Sequence, residues 1–235
     1  MKITLLTGKT FDFSKELGFD IKVKKSSTAK KMVLRIDEKN HCPVFSVPKY
    51  CSHRQALKFL KENKDWIVNM LARLPVSKDF ADGEKIYVFG KEYKIFYDSD
   101  HKGTCFDGDL LRVGGDKSFL HRRVKDFLKK SAVDRLAEMS LQKAKIIGVR
   151  VASVSVKDTK SRWGSCSTRG NINYNWRIVL APIEVIEYLV CHEISHLKHP
   201  NHSTDFWNTV GLLCSSYKEI RRWLKIKGKE LYKYN

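Results

Sequence analysis

Hydrophobic and polar positions along the chain first follow a period of two. Residues 19–48 hold short alternating runs, of which residues 32–36 are the clearest, and this alternation predicts short strands. Between residues 85 and 113, aromatic-rich runs alternate with Gly and Asp turn residues, which predicts a second small β element that ends at Gly114. The first half of the chain is therefore expected to be rich in β-structure.

Two longer segments follow a helical period instead. From Ser52 onward, apolar residues recur three and four positions apart, and Ser52 with Gln55 matches a capping box. This pattern predicts a core-facing amphipathic helix over about 52–74. A second helical pattern runs over about 118–145 and is expected to end at Gly148.

The last third of the chain predicts strands and then a helix that leads into four of the eight histidines. Residues 151–156 are typical of a strand, and residues 171–180 alternate strictly between apolar side chains and polar or smaller ones. Pro182 suits the first turn of a helix that continues into "HEISHLKHPNH", residues 192–202. Ser203 is positioned to cap the helix that follows.

These elements predict a mixed α+β protein with two modules. An N-terminal β-rich module with one helix, at about 52–74, is expected over residues 1–114. A domain with a small sheet and the histidine-bearing helix is expected over residues 115–235. With 235 residues and 42% hydrophobic content, the chain is long enough to bury cores of this size.

Composition indicates a globular protein without a targeting or membrane segment. Residues 1–15 contain too short an apolar run for a signal peptide, and no stretch approaches the roughly 18 apolar residues of a membrane span. We therefore expect a cytoplasmic protein without membrane contact. The six cysteines form no C-x-x-C pair and are expected to be free thiols. Cys166 and Cys191 are interpreted as small buried hydrophobes rather than nucleophiles.

The net charge of +19 favours contact with nucleic acid or with other anions. Solubility alone explains such a charge equally well. Residues 217–235 combine Lys and Arg with tyrosines and a tryptophan, which suits single-stranded nucleic acid but also a solvated terminal helix. Nucleic-acid contact through a basic surface therefore stays an open alternative.

The stretch "HEISH", residues 192–196, has the spacing of a metal-binding helix. His192 and His196 are four residues apart, so on a helix they differ by about 40° in direction and about 6 Å in rise, and both imidazoles can meet one ion. Glu193 would lie beside that ion, where its carboxylate can take a proton from bound water. This is the H-E-x-x-H arrangement of zinc hydrolases.

A catalytic zinc ion requires a third protein ligand and an open fourth position. On a continuous helix His199 would stand about 10 Å along the axis from His192. Pro200 disfavours helical geometry at that point, which lets the chain return His202 toward the ion. We therefore predict one Zn2+ ion on His192, His196 and His202, and we expect His199 to lie beside the ligands or in solvent.

Four motifs are informative as a group: "RWGSC" (162–166), "NWRIVLAP" (175–182), "HEISHLKHPNHS" (192–203) and "DFW" (205–207). Together they closely resemble the YgjP-like metallopeptidases, relatives of the SprT-like zincins. The resemblance is specific over about 150–210 and weaker through the N-terminal strands. It implies a zincin-like metallopeptidase domain with Glu193 as the catalytic residue and three zinc ligands: His192, His196 and His202.

A peptide substrate needs a strand edge beside the metal helix, and residues 161–166 and 171–176 are the candidates for it. Gly164 would allow close approach of a backbone. Trp163 would line the cleft, although it is equally interpretable as a core residue. Three side chains are candidates for contacts with the substrate and its oxyanion: Arg162, Arg177 and Tyr174.

The function predicted from these features is zinc-dependent hydrolysis of a peptide or protein, with Glu193 activating the zinc-bound water. The positive charge would also attract phosphoanhydrides such as nucleotides, although the sequence has no Gly-rich phosphate loop. The alternative from a different class is a nucleic-acid-binding protein with a structural zinc. Three good ligands beside a glutamate fit an open site better than a closed one.

Overall fold

The computed structural model describes residues 13–37, 42–72 and 78–234. The chain divides into two compact units, Met1–Pro75 and Val76–Asn235. Each unit combines helices with small sheets, so the predicted mixed α+β class is confirmed.

The described part of the first unit holds three strands and three helices. They are α1 (Ser14–Leu17), β1 (Lys22–Ser26), β2 (Val33–Asp37), β3 (Cys42–Pro48), α2 (His53–Glu62) and α3 (Lys64–Ala72). The sheet order is β1-β3-β2, with β1 parallel and β2 antiparallel to β3. The fully buried apolar side chains of its core include Phe45, Leu60 and Ile67.

The helix predicted over 52–74 is interrupted once. Its start is as expected, because Ser52 and Gln55 form the capping box in both directions. At Asn63 the helix breaks into α2 and α3, and the Asn63 side-chain amide donates a hydrogen bond to the Phe59 carbonyl at 2.8 Å. Such a local side-chain bond competes with regular helical pairing. Residues 73 and 74 lie outside the described residues.

The second unit begins with a four-stranded sheet and a long helix. The strands are β4 (Lys85–Val88), β5 (Lys91–Asp98), β6 (Thr104–Asp107) and β7 (Leu110–Gly114), in the order β4-β5-β7-β6. The helix α4 spans Leu120–Ile147 after one 3-10 turn, Lys117–Phe119. It ends where predicted, at Gly148, whose positive φ of 67° suits glycine.

A three-stranded sheet and three helices complete this unit. The strands are β8 (Ser153–Lys157), β9 (Gly164–Cys166) and β10 (Asn171–Asn175), in the order β8-β10-β9. The helices are α5 (Ile183–Ser195), α6 (Thr204–Leu213) and α7 (Tyr217–Lys227), and a 3-10 segment, Gly228–Lys233, follows α7. None of the described helices is long and apolar enough to span a membrane.

The strand predicted over residues 171–180 is only half as long in the structure. It stops at Asn175, and Trp176–Leu180 forms a 3-10 helix with all five residues buried. The Asn175 side-chain oxygen accepts a hydrogen bond from the Arg177 backbone N–H at 3.0 Å, which caps this turn. The apolar and polar alternation continues past Asn175 in the sequence. In the structure these residues are all buried, so the segment has no buried face and exposed face as a surface strand would.

The predicted division at Gly114 also differs from the compact units. Ile95 and Leu111, on the four-stranded sheet, belong to the same buried cluster as Leu128 of α4 and Ile186 of α5. Because this sheet buries its side chains against the helices that follow, it belongs to the second unit. The aromatic strand pattern predicted the sheet but gave no sign of the surface on which it packs.

Candidate metal centre

The end of α5 and the start of α6 bring three imidazoles together. His192 lies in the last turn of α5, and His196 is its C-cap residue. After His196 the chain turns and re-enters a helix at Thr204, where the Ser203 hydroxyl accepts a hydrogen bond from the Phe206 N–H at 3.4 Å. His202 therefore comes directly before the cap of α6.

The three rings lie within one small volume. One nitrogen from each of His192, His196 and His202 lies within 4.8 Å of the other two. The Nε2 atoms of His192 and His202 are 3.3 Å apart. Among the residues that the structure describes, no fourth His, Cys, Asp or Glu joins this group.

This donor set fits a divalent metal ion. In a tetrahedral zinc site with Zn–N bonds of about 2.0–2.1 Å, two ligand nitrogens are about 3.3–3.4 Å apart, which matches the separation between His192 and His202. Burial, with the nearby His196, lowers the pKa of His192 to about 3. Burial also lowers the pKa of His196. Both rings are therefore neutral at pH 7, the state in which imidazole donates an electron pair to a metal.

A backbone carbonyl orients the His196 ring. The His196 Nδ1 atom lies 3.2 Å from the His199 carbonyl oxygen, so Nδ1–H donates and Nε2 keeps its lone pair. The His199 side chain is not part of the three-histidine group. His199 therefore contributes to the site through its backbone.

Glu193 follows His192 in α5 and is buried, with only 3% of its surface exposed. Burial raises the pKa of Glu193 to about 8, against the opposing effect of the Arg162 charge. Its Oε2 atom has no hydrogen-bond partner among the described residues. A buried carboxyl oxygen without a partner therefore directly follows the first histidine of the group in the chain.

Gly164, the first residue of β9, touches this carboxylate. A Cβ atom built at position 164 would lie 2.3 Å from Glu193 Oε1, well inside the closest contact that real atoms make. A side chain at this position would displace the carboxylate. The glycine in "RWGSC" thus corresponds to close approach between the sheet edge and the helix.

A phenyl ring forms the apolar floor of the histidine group. The centre of the Phe206 ring lies 4.5 Å from that of His196, 4.8 Å from that of His202 and 5.0 Å from that of His192. Phe206 is fully buried. Phe206 belongs to the motif "DFW" and is in contact with all three imidazole rings.

A family model described as "YgjP-like, metallopeptidase domain" matches residues 30–227. The chain belongs to the YgjP-like metallopeptidase family. Among solved structures, the metallopeptidase zymogen abylysin of Pyrococcus abyssi is 24% identical, over 39% of this chain and 95% of that chain. The TM-score between the two structures is 0.36. Curated protein sequences contain no match.

Membership makes this protein a metallohydrolase of the peptidase class and confirms the family predicted from the motifs. Arg162 and Trp163, which the sequence predicted for the site of this YgjP-like metallopeptidase, have different surroundings in the structure. Arg162 is exposed near Glu193. The centre of the Trp163 ring lies 5.0 Å from the centre of the Tyr232 ring. The Trp163 ring also packs against the backbone of Gly228.

Arg177 and Tyr174 make structural contacts instead. The Arg177 guanidinium pairs with Asp158 at 2.5 Å and donates to the Tyr234 carbonyl at 2.8 Å, and its side chain is 4% exposed. The Tyr174 hydroxyl lies 2.9 Å from the Ser140 hydroxyl inside the core. These contacts direct both groups into the packing of the YgjP-like metallopeptidase rather than toward the histidines.

Neither cysteine near the motifs has the character of a nucleophile. Burial, with the charge of Glu193, raises the pKa of the Cys166 thiol to about 11. Burial raises the pKa of the Cys191 thiol to about 12. Both thiols are protonated at neutral pH, which agrees with their interpretation as small hydrophobes.

The Arg177–Asp158 pair predicts a pH-dependent contribution to stability. Partial burial acts to raise the pKa of Asp158, but the hydrogen bond and charge of Arg177, with Lys125 and Lys129, lower the pKa below its usual 3.8. The contribution is present above pH 3.8 and is lost as the pH falls through the lowered folded-state value. We expect Asp158→Asn to destabilise the protein by about 1–2 kcal/mol at pH 6, because it leaves the buried guanidinium without a charged partner.

Urea denaturation at pH 6 and at decreasing pH measures this contribution. The difference between wild type and variant should shrink below pH 3.8. Asp205→Asn is the matched control, because Asp205 is exposed in the first turn of α6 and pairs with no cation among the described residues. Equal destabilisation at every pH would contradict the role of the ion pair.

Proposed function

We propose that this protein is a zinc-dependent metallopeptidase that binds one ion through His192, His196 and His202, with Glu193 as general base and acid. One observation carries the proposal: three imidazoles converge within 4.8 Å of one another, and the residue after the first of them, Glu193, is a buried acid with an oxygen that has no hydrogen-bond partner among the described residues. Three ligands correspond to a catalytic site with an open position, whereas structural zinc sites have four.

Glu193 performs the proton transfers of hydrolysis in this proposal. A zinc ion held by the three histidines supplies Lewis acidity for the scissile carbonyl and for the attacking water. Glu193 accepts a proton as the water oxygen bonds to the carbonyl carbon. It then gives that proton to the amine nitrogen as the C–N bond breaks. Burial raises the pKa of Glu193 to about 8, and the positive charge of an ion held by the histidines would favour the ionised carboxylate that accepts the proton.

The edge of β9 is the surface proposed for the peptide. β9 pairs with β10 on one side, and no described strand pairs with its other side. An extended peptide added there would gain backbone hydrogen bonds close to Glu193, since Gly164 begins this strand. Arg162 and Trp163 immediately precede β9 and are proposed to contact the same peptide.

Other candidate functions have less support. A nucleic-acid-binding protein with a structural zinc needs a closed ligand set, and the described residues offer only three ligands in the group. Nucleotide hydrolysis would use the same ion and the same positive charge, so purified protein should be assayed on nucleoside triphosphates beside peptides. Nucleic-acid contact through the basic surface is a separate property, which salt-dependent binding measures.

Replacing the proton-transfer group tests the mechanism directly. Glu193→Gln keeps the size of the side chain but removes its basicity, so we expect peptide hydrolysis to fall by about 10²–10⁴-fold with bound zinc unchanged. Hydrolysis of a quenched fluorescent peptide mixture and zinc content by mass spectrometry give the two readings. Wild-type activity in a zinc-loaded variant would reject the role of Glu193.

The identity of the third ligand predicts a contrast between two neighbouring histidines. His202→Ala should lower zinc affinity strongly, because it removes one of three donors. His199→Ala should keep the zinc, because the contact with His196 comes from the His199 backbone carbonyl. Competition with a chelating dye measures both affinities, and equal loss in the two variants would overturn the assignment of His202.

The contact between Gly164 and Glu193 predicts a loss of activity without a loss of metal. In Gly164→Ala the added methyl group would displace the carboxylate. We expect the turnover number to fall by about 10²-fold, since small misplacements of catalytic groups have effects of that size. Zinc content and thermal unfolding, measured on the same variant, distinguish a displaced carboxylate from a loss of metal or of fold. Unchanged turnover in Gly164→Ala would show that the contact has no catalytic consequence.

A further inference from the structure

An aromatic shelf extends from the third histidine along the surface of the second unit. It consists of Trp207 on α6 and Tyr217 at the start of α7. Their rings stack with centres 5.5 Å apart and planes 13° from parallel. The His202 ring stacks on the same tryptophan, with centres 5.7 Å apart and planes at 27°. The shelf therefore begins at the histidine group itself.

Arg221 lies over this shelf. Its guanidinium carbon is 4.6 Å from the centre of the Trp207 ring, which is a cation–π contact. Arg221 follows Tyr217 by one helical turn on α7, so both side chains lie on the same face of that helix. The tryptophan ring thus holds the guanidinium in place.

The charge of Arg221 has no carboxylate partner among the residues that the structure describes. Some arginines of this unit do have one, such as Arg112 with Asp98 and Asp107, and Arg177 with Asp158. Arg221 is exposed and makes no ion pair. Its fork of N–H donors is therefore available to a ligand.

The position of Arg221 is within reach of a bound peptide. The contacts with Trp207 place its guanidinium carbon no more than about 10 Å from the centre of the His202 ring. An extended peptide advances about 3.3 Å per residue, so a group within about three residues of the scissile bond falls in this range.

The chemistry of this arrangement selects a carboxylate. A guanidinium that stacks on an aromatic face keeps the donors along its edge free, and these match a carboxylate in a two-pronged hydrogen bond. The net charge of +19 attracts acidic substrates from a distance. A neutral or basic group at the same place would leave the arginine unpaired.

We propose that Arg221, held on the aromatic shelf, binds a carboxylate of the substrate and makes this enzyme prefer peptides with an acidic group close to the scissile bond. The proposal rests on the peptidase function proposed above. Two sources supply the same chemistry, the side chain of Asp or Glu and the free C-terminus of a short peptide. Arg221 is a specificity-determining residue in this proposal and takes no part in proton transfer.

The experiment compares zinc-loaded wild type, Arg221→Gln and Arg222→Gln on a matched set of peptides. Arg222 is the control because it is exposed on the same helix and its loss changes the net charge equally. The peptides carry Glu, Gln or Lys at each position near the cleaved bond, and each is made with a free and with an amidated C-terminus. Thermal unfolding and zinc content verify that both variants are folded and loaded.

We expect Arg221→Gln to lower kcat/KM for the best acidic peptide by at least tenfold, mainly through KM, and to leave its Gln counterpart almost unchanged. Arg222→Gln should have little effect on either. Arg221→Glu should shift the preference toward Lys at the same position. An effect that vanishes on amidation assigns the carboxylate to the C-terminus, and one that survives assigns it to a side chain.

Three results would overturn the proposal. One is equal cleavage of Glu and Gln peptides by wild type, and another is an equal effect of the two Gln variants. The third is hydrolysis of nucleoside triphosphates together with inactivity toward every peptide, which would overturn the peptidase function as well. Cleavage of peptides without acidic preference would leave the peptidase function standing and remove only the role of Arg221.

Discussion

The reversal of the chain between α5 and α6 is the constraint on which the site depends. Two histidines on adjacent turns of α5 supply only two donors, and a straight continuation would carry the next histidine about 10 Å along the axis. The helix ends at Ser195 instead, and α6 begins after the cap at Ser203. His202 lies in the segment between the two helices, and its Nε2 atom is 3.3 Å from the Nε2 atom of His192.

The surroundings of this reversal also set the protonation of the site. Phe206 closes the floor beneath the three rings and, with burial of α5 in the core, lowers the local polarity. The same low polarity keeps the imidazole of His192 neutral and raises the pKa of Glu193. Burial thus accounts for the pKa shifts of both groups.

Local chemistry was predictable from the sequence, whereas tertiary packing was not. The caps at Ser52, Gly148 and Ser203 depend on residues within four positions, and the structure has all three. Residues 176–180 depart from the strand pattern because burial on all sides removes the difference between two faces. The division near residue 75 depends on which surface the sheet of residues 85–114 packs against, and a period of two carries no information about that.

The surroundings of individual arginine side chains are equally hard to predict from the sequence. Arg162 and Arg177 stand in motifs of similar appearance, yet Arg162 is exposed near Glu193 while Arg177 is buried against Asp158. Arg221 lies in none of the sequence motifs. Only the structure shows its contact with Trp207 beside the histidines. The deciding property is the presence or absence of an acidic neighbour in space. An arginine that already pairs within the fold stabilises it, and one held in place without a partner is suited to bind a ligand.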